Sequence, residues 1–297
     1  MTPRPAQVPP TPGALATLAL LTLIWGLSVP MMKLGLADFP APALVTLRYL
    51  VAAPCFALLL FLRGSPIPRP RQLAQMAALG VFGVDAGQYT QMTGVRLCSA
   101  SVATMITAII PVLTVLLASL RLRQKIRPAH GAGFVLALGG IALAVFAPGV
   151  RATSAPAGEG LVLLSCLCIS GYYVFSVEVA ARAGVMATAA WSTIFAAAGL
   201  IPVALWTVPI DALRLTPRVV FVALYLGLLV TVLGIWIWLR ALERLPARIA
   251  GASQYGQPLV GIAASAMLFG DWIGGRFLAG TALVLGGIAL SALPGRR

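Results

Sequence analysis

Asp85, Gln88, Tyr89 and Met92 fall at i, i+3, i+4 and i+7, the spacing of one face of a helix. A carboxylate, an amide, a phenol and a thioether on one stripe suit the wall of a cavity that holds a small solute. The alternative is a hydrogen-bonding stripe between packed helices. Asp85 stands in a long apolar run, about 20 Å along a helix that starts near Gln72 at about 1.5 Å per residue. That is the outer half of a bilayer core about 30 Å thick. A charge near the bilayer centre costs on the order of 2.5–3.5 kcal/mol, so it faces a cavity or a partner. Arg48 lies at a similar depth in the preceding apolar run. The two are expected to pair or to share a network; the other reading has Arg48 snorkel to the outer interface.

Other polar and aromatic groups interrupt the apolar runs. Trp25 and Ser28 stand in the first, Ser170, Tyr172, Tyr173 and Phe175 in the sixth, and Trp236 and Trp238 in the eighth. Gln254, Tyr255 and Gln257 precede Pro258 in the ninth. Trp25, Asp85, Gln88, Tyr89, Met92, Tyr172, Tyr173, Trp236, Gln254 and Tyr255 form the candidate substrate set. Arg48, Pro111 and Pro258 are the candidate structural or gating residues. Trp and Tyr also favour membrane interfaces, so part of this set is open to a belt reading. Glu178 and Arg182 form an i, i+4 pair of favourable order, which suits a surface role.

The remaining chemistry is sparse. Cys55, Cys98, Cys166 and Cys168 fall in or at the ends of apolar runs, where cysteine is a small hydrophobe. The single histidine, His130, lies in a basic loop, so no metal site is expected. Nothing resembles a phosphate-binding loop, a metal-binding helix or a nucleophile elbow. The expectation is a protein that is not an enzyme and needs no cofactor.

The elements that must position these groups follow from composition. Of 297 residues 60% are hydrophobic and 9% are charged, against about a quarter charged in soluble domains. The chain therefore reads as an all-α integral membrane protein. The net charge of +14 could suggest nucleic acid, but most Lys and Arg sit in short segments between apolar runs, which is a topology signal. Pro3, Pro5, Pro9, Pro10 and Pro12 make residues 1–12 a disordered cytoplasmic tail. Ten runs of spanning length follow, near residues 13–30, 42–62, 72–92, 99–120, 130–147, 160–181, 186–207, 217–239, 247–269 and 275–293. With the N-terminus inside, fourteen basic residues fall in inner segments and six in outer ones, Lys33 and Arg96 among the latter. Both termini are thus expected in the cytoplasm.

A shift of 147 positions aligns the chain with itself. Leu79-Gly80 meets Leu226-Gly227, and Ala100, Ala103 and Pro111 meet Ala247, Ala250 and Pro258. Gly139-Gly140-Ile141-Ala142-Leu143 meets Gly286-Gly287-Ile288-Ala289-Leu290 in the same register. Five helices is an odd number, so the second copy enters the membrane inverted. The expected organisation is two inverted five-helix repeats, residues 13–148 and 159–293, a design that supports alternating access.

Trp25-Gly26, Leu47-Arg48-Tyr49-Leu50, Ser99-Ala100-Ser101-Val102-Ala103 through Pro111, and the closing Gly-Gly-Ile-Ala-Leu run resemble an EamA domain of the drug/metabolite transporter superfamily. The resemblance covers nearly the whole chain as two tandem domains. Family members often carry an acidic residue thirteen positions after the motif proline; Asp271 fits after Pro258, whereas Gln124 stands there after Pro111. The resemblance implies a secondary transporter exporting small metabolites, commonly amino acids, with the aromatic groups favouring aromatic or apolar ones. Its partners would be that small solute and the lipid bilayer, not nucleic acid, with the chain acting as a monomer. Richness in Ala, Gly and Arg points to a bacterial inner membrane. Efflux of cationic drugs, with Asp85 as counter-charge, is one alternative. A membrane receptor or scaffold is another.

Overall fold

The structure, a computed structural model, describes residues 12–123, 128–147, 154–244 and 247–291, with the main chain alone at 242–244 and 247–253. Of the tail expected over residues 1–12, residues 1–11 lie outside the described residues, as does Gln124, while Pro12 is helical and opens α1, where a proline needs no N–H partner. The helices are α1 (Pro12–Gly26), α2 (Ser28–Leu36), α3 (Ala41–Leu62), α4 (Pro70–Ala78), α5 (Ala86–Leu97), α6 (Ala100–Thr107) and α7 (Ile110–Arg121). They continue with α8 (Pro128–Val145), α9 (Pro156–Ala183), α10 (Val185–Thr207), α11 (Pro217–Leu224), α12 (Gly234–Arg244), α13 (Ala247–Phe269) and α14 (Gly275–Ser291). Two π-helical segments, Leu79–Asp85 and Tyr225–Leu233, join α4 to α5 and α11 to α12. No strand occurs among the described residues. Seven helical stretches there are long and apolar enough to cross a membrane, so the chain is a multi-pass membrane protein.

Local chemistry explains where the helices stop. Gly184 closes α9 and opens α10 at φ 88°, a conformation open to glycine, so the two helices form a tight hairpin. The stretch read as one helix over 99–120 is two. Ser99 is an N-cap, its Oγ accepting from the Val102 N–H at 3.3 Å. The helix breaks after Thr107 because Pro111 lacks the N–H that would continue the ladder, and it restarts at Ile110. Its repeat mate Pro258 sits inside unbroken α13. The first run also breaks, between α1 and α2. There Tyr225 Oη donates to the Ile24 carbonyl at 2.9 Å and Ser28 Oγ to the Trp25 carbonyl at 2.6 Å. Those bonds satisfy the carbonyls that the break releases.

The packing is glycine-mediated where helices approach most closely. The most extensive helix–helix contact among the described residues joins α8 to α14. A Cβ added at Gly133 would lie 2.6 Å from the Gly287 carbonyl oxygen, and one at Gly140 would lie 2.5 Å from that of Gly280. As residue numbers rise along α8 their contacts fall along α14, so the helices run antiparallel. Gly139 and Gly286, the other members of the two Gly-Gly pairs, meet nothing within 4 Å. Elsewhere Gly80 lies against α10 and Gly227 against α3, so each π segment rests on a helix of the other half of the chain.

One end of the molecule is fastened across that division. Lys33, expected in a loop, occupies the last turn of α2, and its Nζ donates to the carbonyls of Val95, Arg96 and Cys98 at 3.0, 3.1 and 2.6 Å. A cation on the final carbonyls of α5 satisfies them and opposes the helix dipole. Asp271 Oδ2 accepts from the Ser101 N–H at 2.8 Å, placing an anion at the N-terminus of α6. Ser154 Oγ accepts from the Ser99 N–H at 2.9 Å. Cys98 is fully buried beneath these bonds. In detergent-solubilised protein a maleimide is therefore expected to spare Cys98, and Lys33→Met combined with Asp271→Asn to expose it, as read by peptide mass. Equal modification of both proteins would show that these bonds do not hold this end shut.

Candidate functional site

The buried polar node of the molecule forms where α3 meets both π-bearing helices. Arg48 is 6% exposed. Its Nε donates to Thr231 Oγ1 at 2.9 Å and its Nη1 to Gln88 Oε1 at 2.6 Å, while its guanidinium lies 5.5 Å from the Tyr49 ring centre. The widened turn of a π segment releases backbone carbonyls. Here Thr231 Oγ1 donates to the Leu226 carbonyl at 2.8 Å and Trp25 Nε1 to the Val230 carbonyl at 3.0 Å. The Trp25 ring tilts against Trp238, centroids 5.8 Å apart. Arg48, Gln88 and Trp25 from the first half thus converge on one distorted turn of the second.

Asp85 does not join this node. Its carboxylate is 8% exposed and turned to α10, with Oδ2 against the Gly199 backbone and Oδ1 without a hydrogen-bond partner. The expected Arg48–Asp85 pair is replaced by Arg48–Gln88, and Arg48 is buried rather than snorkelled. The π segment ends at Asp85, so it shifts the phase of Asp85 and Gln88 together against the preceding α4; at the start of α5 Asp85 meets α10 while Gln88, one turn on, meets α3. Met92 is fully buried and Tyr89 packs on the main core.

Tyr172 and Tyr173 have ring centroids 5.8 Å apart but face different surroundings. Tyr172 packs beside Met76, Leu79 and Val179. It helps line a groove of about 430 Å³ together with Gln75, Phe82, Cys168, Phe175 and Glu178. Tyr173 follows the stripe on which Cys166 Sγ and Ser170 Oγ meet the Ile106 and Ile110 carbonyls. It is 46% accessible. Val177, one turn further along the stripe, is 66% exposed.

Gln254, Tyr255 and Gln257 are half-buried on α13; Gln257 Nε2 donates to Gln254 Oε1 at 2.9 Å, and Tyr255 packs on the main core. Trp236 is 36% exposed beside Arg240, 5.3 Å from its ring centre. Two residues apart on a helix point to different sides, so Trp238 takes the Trp25 contact instead. Glu178 pairs with Arg121 at 2.6 Å rather than with Arg182, and Arg121 lies over the Phe175 ring at 4.3 Å. A neighbour on α7 outcompetes the local partner.

Sequence reasoning passed over Thr231, Gly199 and Gly234. Thr231 is the lone polar residue of the run from Leu226 to Leu233, which was a usable signal. Gly234, against which the Trp25 indole packs, is the 147-residue mate of Gly87, a match the repeat register contained. Gly199 carried no such mark.

The EamA-like transporter family matches residues 12–146 and 156–293. The chain belongs to this family. Among its relatives is a probable terminal-alkyne amino-acid exporter of Streptantibioticus cattleyicolor, 28% identical, with 96% of this chain and 98% of that one covered. A probable amino-acid metabolite efflux pump of Salmonella typhimurium is 24% identical over 92% of both chains. A solved crystal structure shares the fold at TM-score 0.67 and 18% identity, over 94% of this chain and 96% of that one. This EamA-family chain is therefore a membrane transporter of small molecules, with two EamA regions in tandem.

Proposed function

We propose that the protein exports amino acids, with a preference for aromatic or apolar ones, by alternating access in a bacterial inner membrane. In this reading ten helices span the bilayer as two inverted five-helix repeats with both termini in the cytoplasm, and the chain works as a monomer. The antiparallel α8–α14 seam and the two π segments, which correspond under the 147-residue shift, support the inverted arrangement. The observation that carries the function is the polar node of Arg48, Gln88 and Thr231 between the halves, flanked by Trp25 and Tyr49. Aromatic walls with a few placed polar groups suit flat solutes that carry a polar end. The exporter relatives point the same way.

The fastened end at Lys33 and Asp271 falls on the outer side in this orientation, whereas the accessible residues Tyr173 and Val177 lie toward the inner side. Counterflow of labelled phenylalanine into proteoliposomes, beside a labelled cationic aromatic dye, tests the reading. Phenylalanine flux without dye flux is expected. Dye flux alone would move the assignment to cationic drugs, and the absence of any flux would end it.

A further inference from the structure

Arg48 is a buried cation that makes no ion pair among the described residues. Its Nε and Nη1 are taken by Thr231 and Gln88, both neutral acceptors. Nη2 has no hydrogen-bond partner among the described residues. The chain has only seven carboxylates. Asp38 pairs with Arg218, Glu178 with Arg121, and Asp271 caps α6. Asp85 turns to Gly199 and makes no ion pair with Arg48. Glu159 opens α9, and Asp211 lies in the turn after α10. Glu243 lies twelve residues beyond Thr231, about 18 Å along the helix.

A guanidinium removed from water without a counter-charge is costly. Gln88, Thr231 and the Tyr49 ring hold it in one orientation while neutralising none of its charge. That arrangement preorganises the remaining N–H groups for an anion that comes and goes.

We infer that Arg48 receives the carboxylate of the transported solute on Nη2. This rests on the amino-acid reading above and adds which end of the solute is recognised and by which residue. Carboxylate-bearing solutes would then be selected, and the neutral amide or the decarboxylated amine rejected.

The test uses full-length wild-type protein in proteoliposomes carrying out phenylalanine counterflow. 3-Phenylpropanoate is expected to compete within a few-fold of phenylalanine, whereas phenylalaninamide and phenethylamine compete about tenfold less well or worse. Chloride at equal concentration is expected to have no effect; competition by chloride equal to that of phenylpropanoate would make this a general anion site and overturn the inference. Arg48→Gln is expected to lose phenylalanine counterflow by about tenfold or more, with partial recovery in Arg48→Lys. If phenylalaninamide competes as well as phenylalanine on the wild type, the inference fails even though the transport reading stands. If the wild type moves no amino acid, the transport reading fails. The inference is then decided by thermal unfolding of purified wild type, which phenylpropanoate but not phenethylamine should stabilise. Equal shifts, or none, would overturn it.

Discussion

Gly140→Val is expected to cost about 3 kcal/mol of stability and to abolish transport, while Gly139→Val one residue away leaves both near wild type. At Gly140 a side chain would enter the Gly280 backbone, with the Leu283 Cβ 2.9 Å and the Val284 nitrogen 2.9 Å away. Backbone cannot move aside as a flexible side-chain tip can, so the helices must separate. Without a hydrophobic drive between helices inside lipid, the close packing lost on separation is much of what joined them. At Gly139 nothing lies within 4 Å. Thermal unfolding in detergent micelles distinguishes the two substitutions directly. Similar melting temperatures for both would mean that the α8–α14 approach does not hold the halves together.

Thr231→Val has the second large expected effect, although the two side chains have nearly the same shape. Thr231 Oγ1 donates to the Leu226 carbonyl and accepts from Arg48 Nε. Valine leaves the Arg48 Nε–H without its acceptor in a buried site and removes the second donor from the Leu226 carbonyl. One unmet buried polar group costs about 1–3 kcal/mol, and more when it is charged. The expected loss is about 3 kcal/mol by that measure, accompanied by a large fall in counterflow. Thr231→Ser, which retains the hydroxyl, should restore most of both. If valine and serine behave alike, the hydroxyl is not what holds the π turn and Arg48 in register.

The two positions were legible to different degrees. The glycine seam was readable because a repeat in register fixes which residues recur, and small residues recurring on helices mark close approach. Which member of each Gly-Gly pair meets the neighbour was not readable, since that depends on the rotation of α8 about its axis. That Arg48 and Asp85, charged groups in long apolar runs, must turn to a partner or a cavity was readable, and both are buried in the protein. Their partners were not. Depth leaves the direction of a side chain open, and the π segment Leu79–Asp85 resets that direction without a distinguishing residue type. Pro111 announced a disturbance, yet its copy Pro258 lies in a continuous helix, so the surrounding packing decides whether the chain breaks. Lys33 was read by charge alone as a loop residue; its long apolar stem lets it remain helical and still reach three carbonyls.

The seam between α8 and α14 has a further consequence. Under the 147-residue register Gly133 corresponds to Gly280 and Gly140 to Gly287, so the contacts Gly133–Gly287 and Gly140–Gly280 are the same contact made twice. That is the defining property of an isologous interface in a two-fold dimer. The chain thus carries, within one polypeptide, a junction of the kind that joins two identical subunits. The halves, produced as separate polypeptides divided between residues 147 and 156, have the surface needed to find each other in the bilayer.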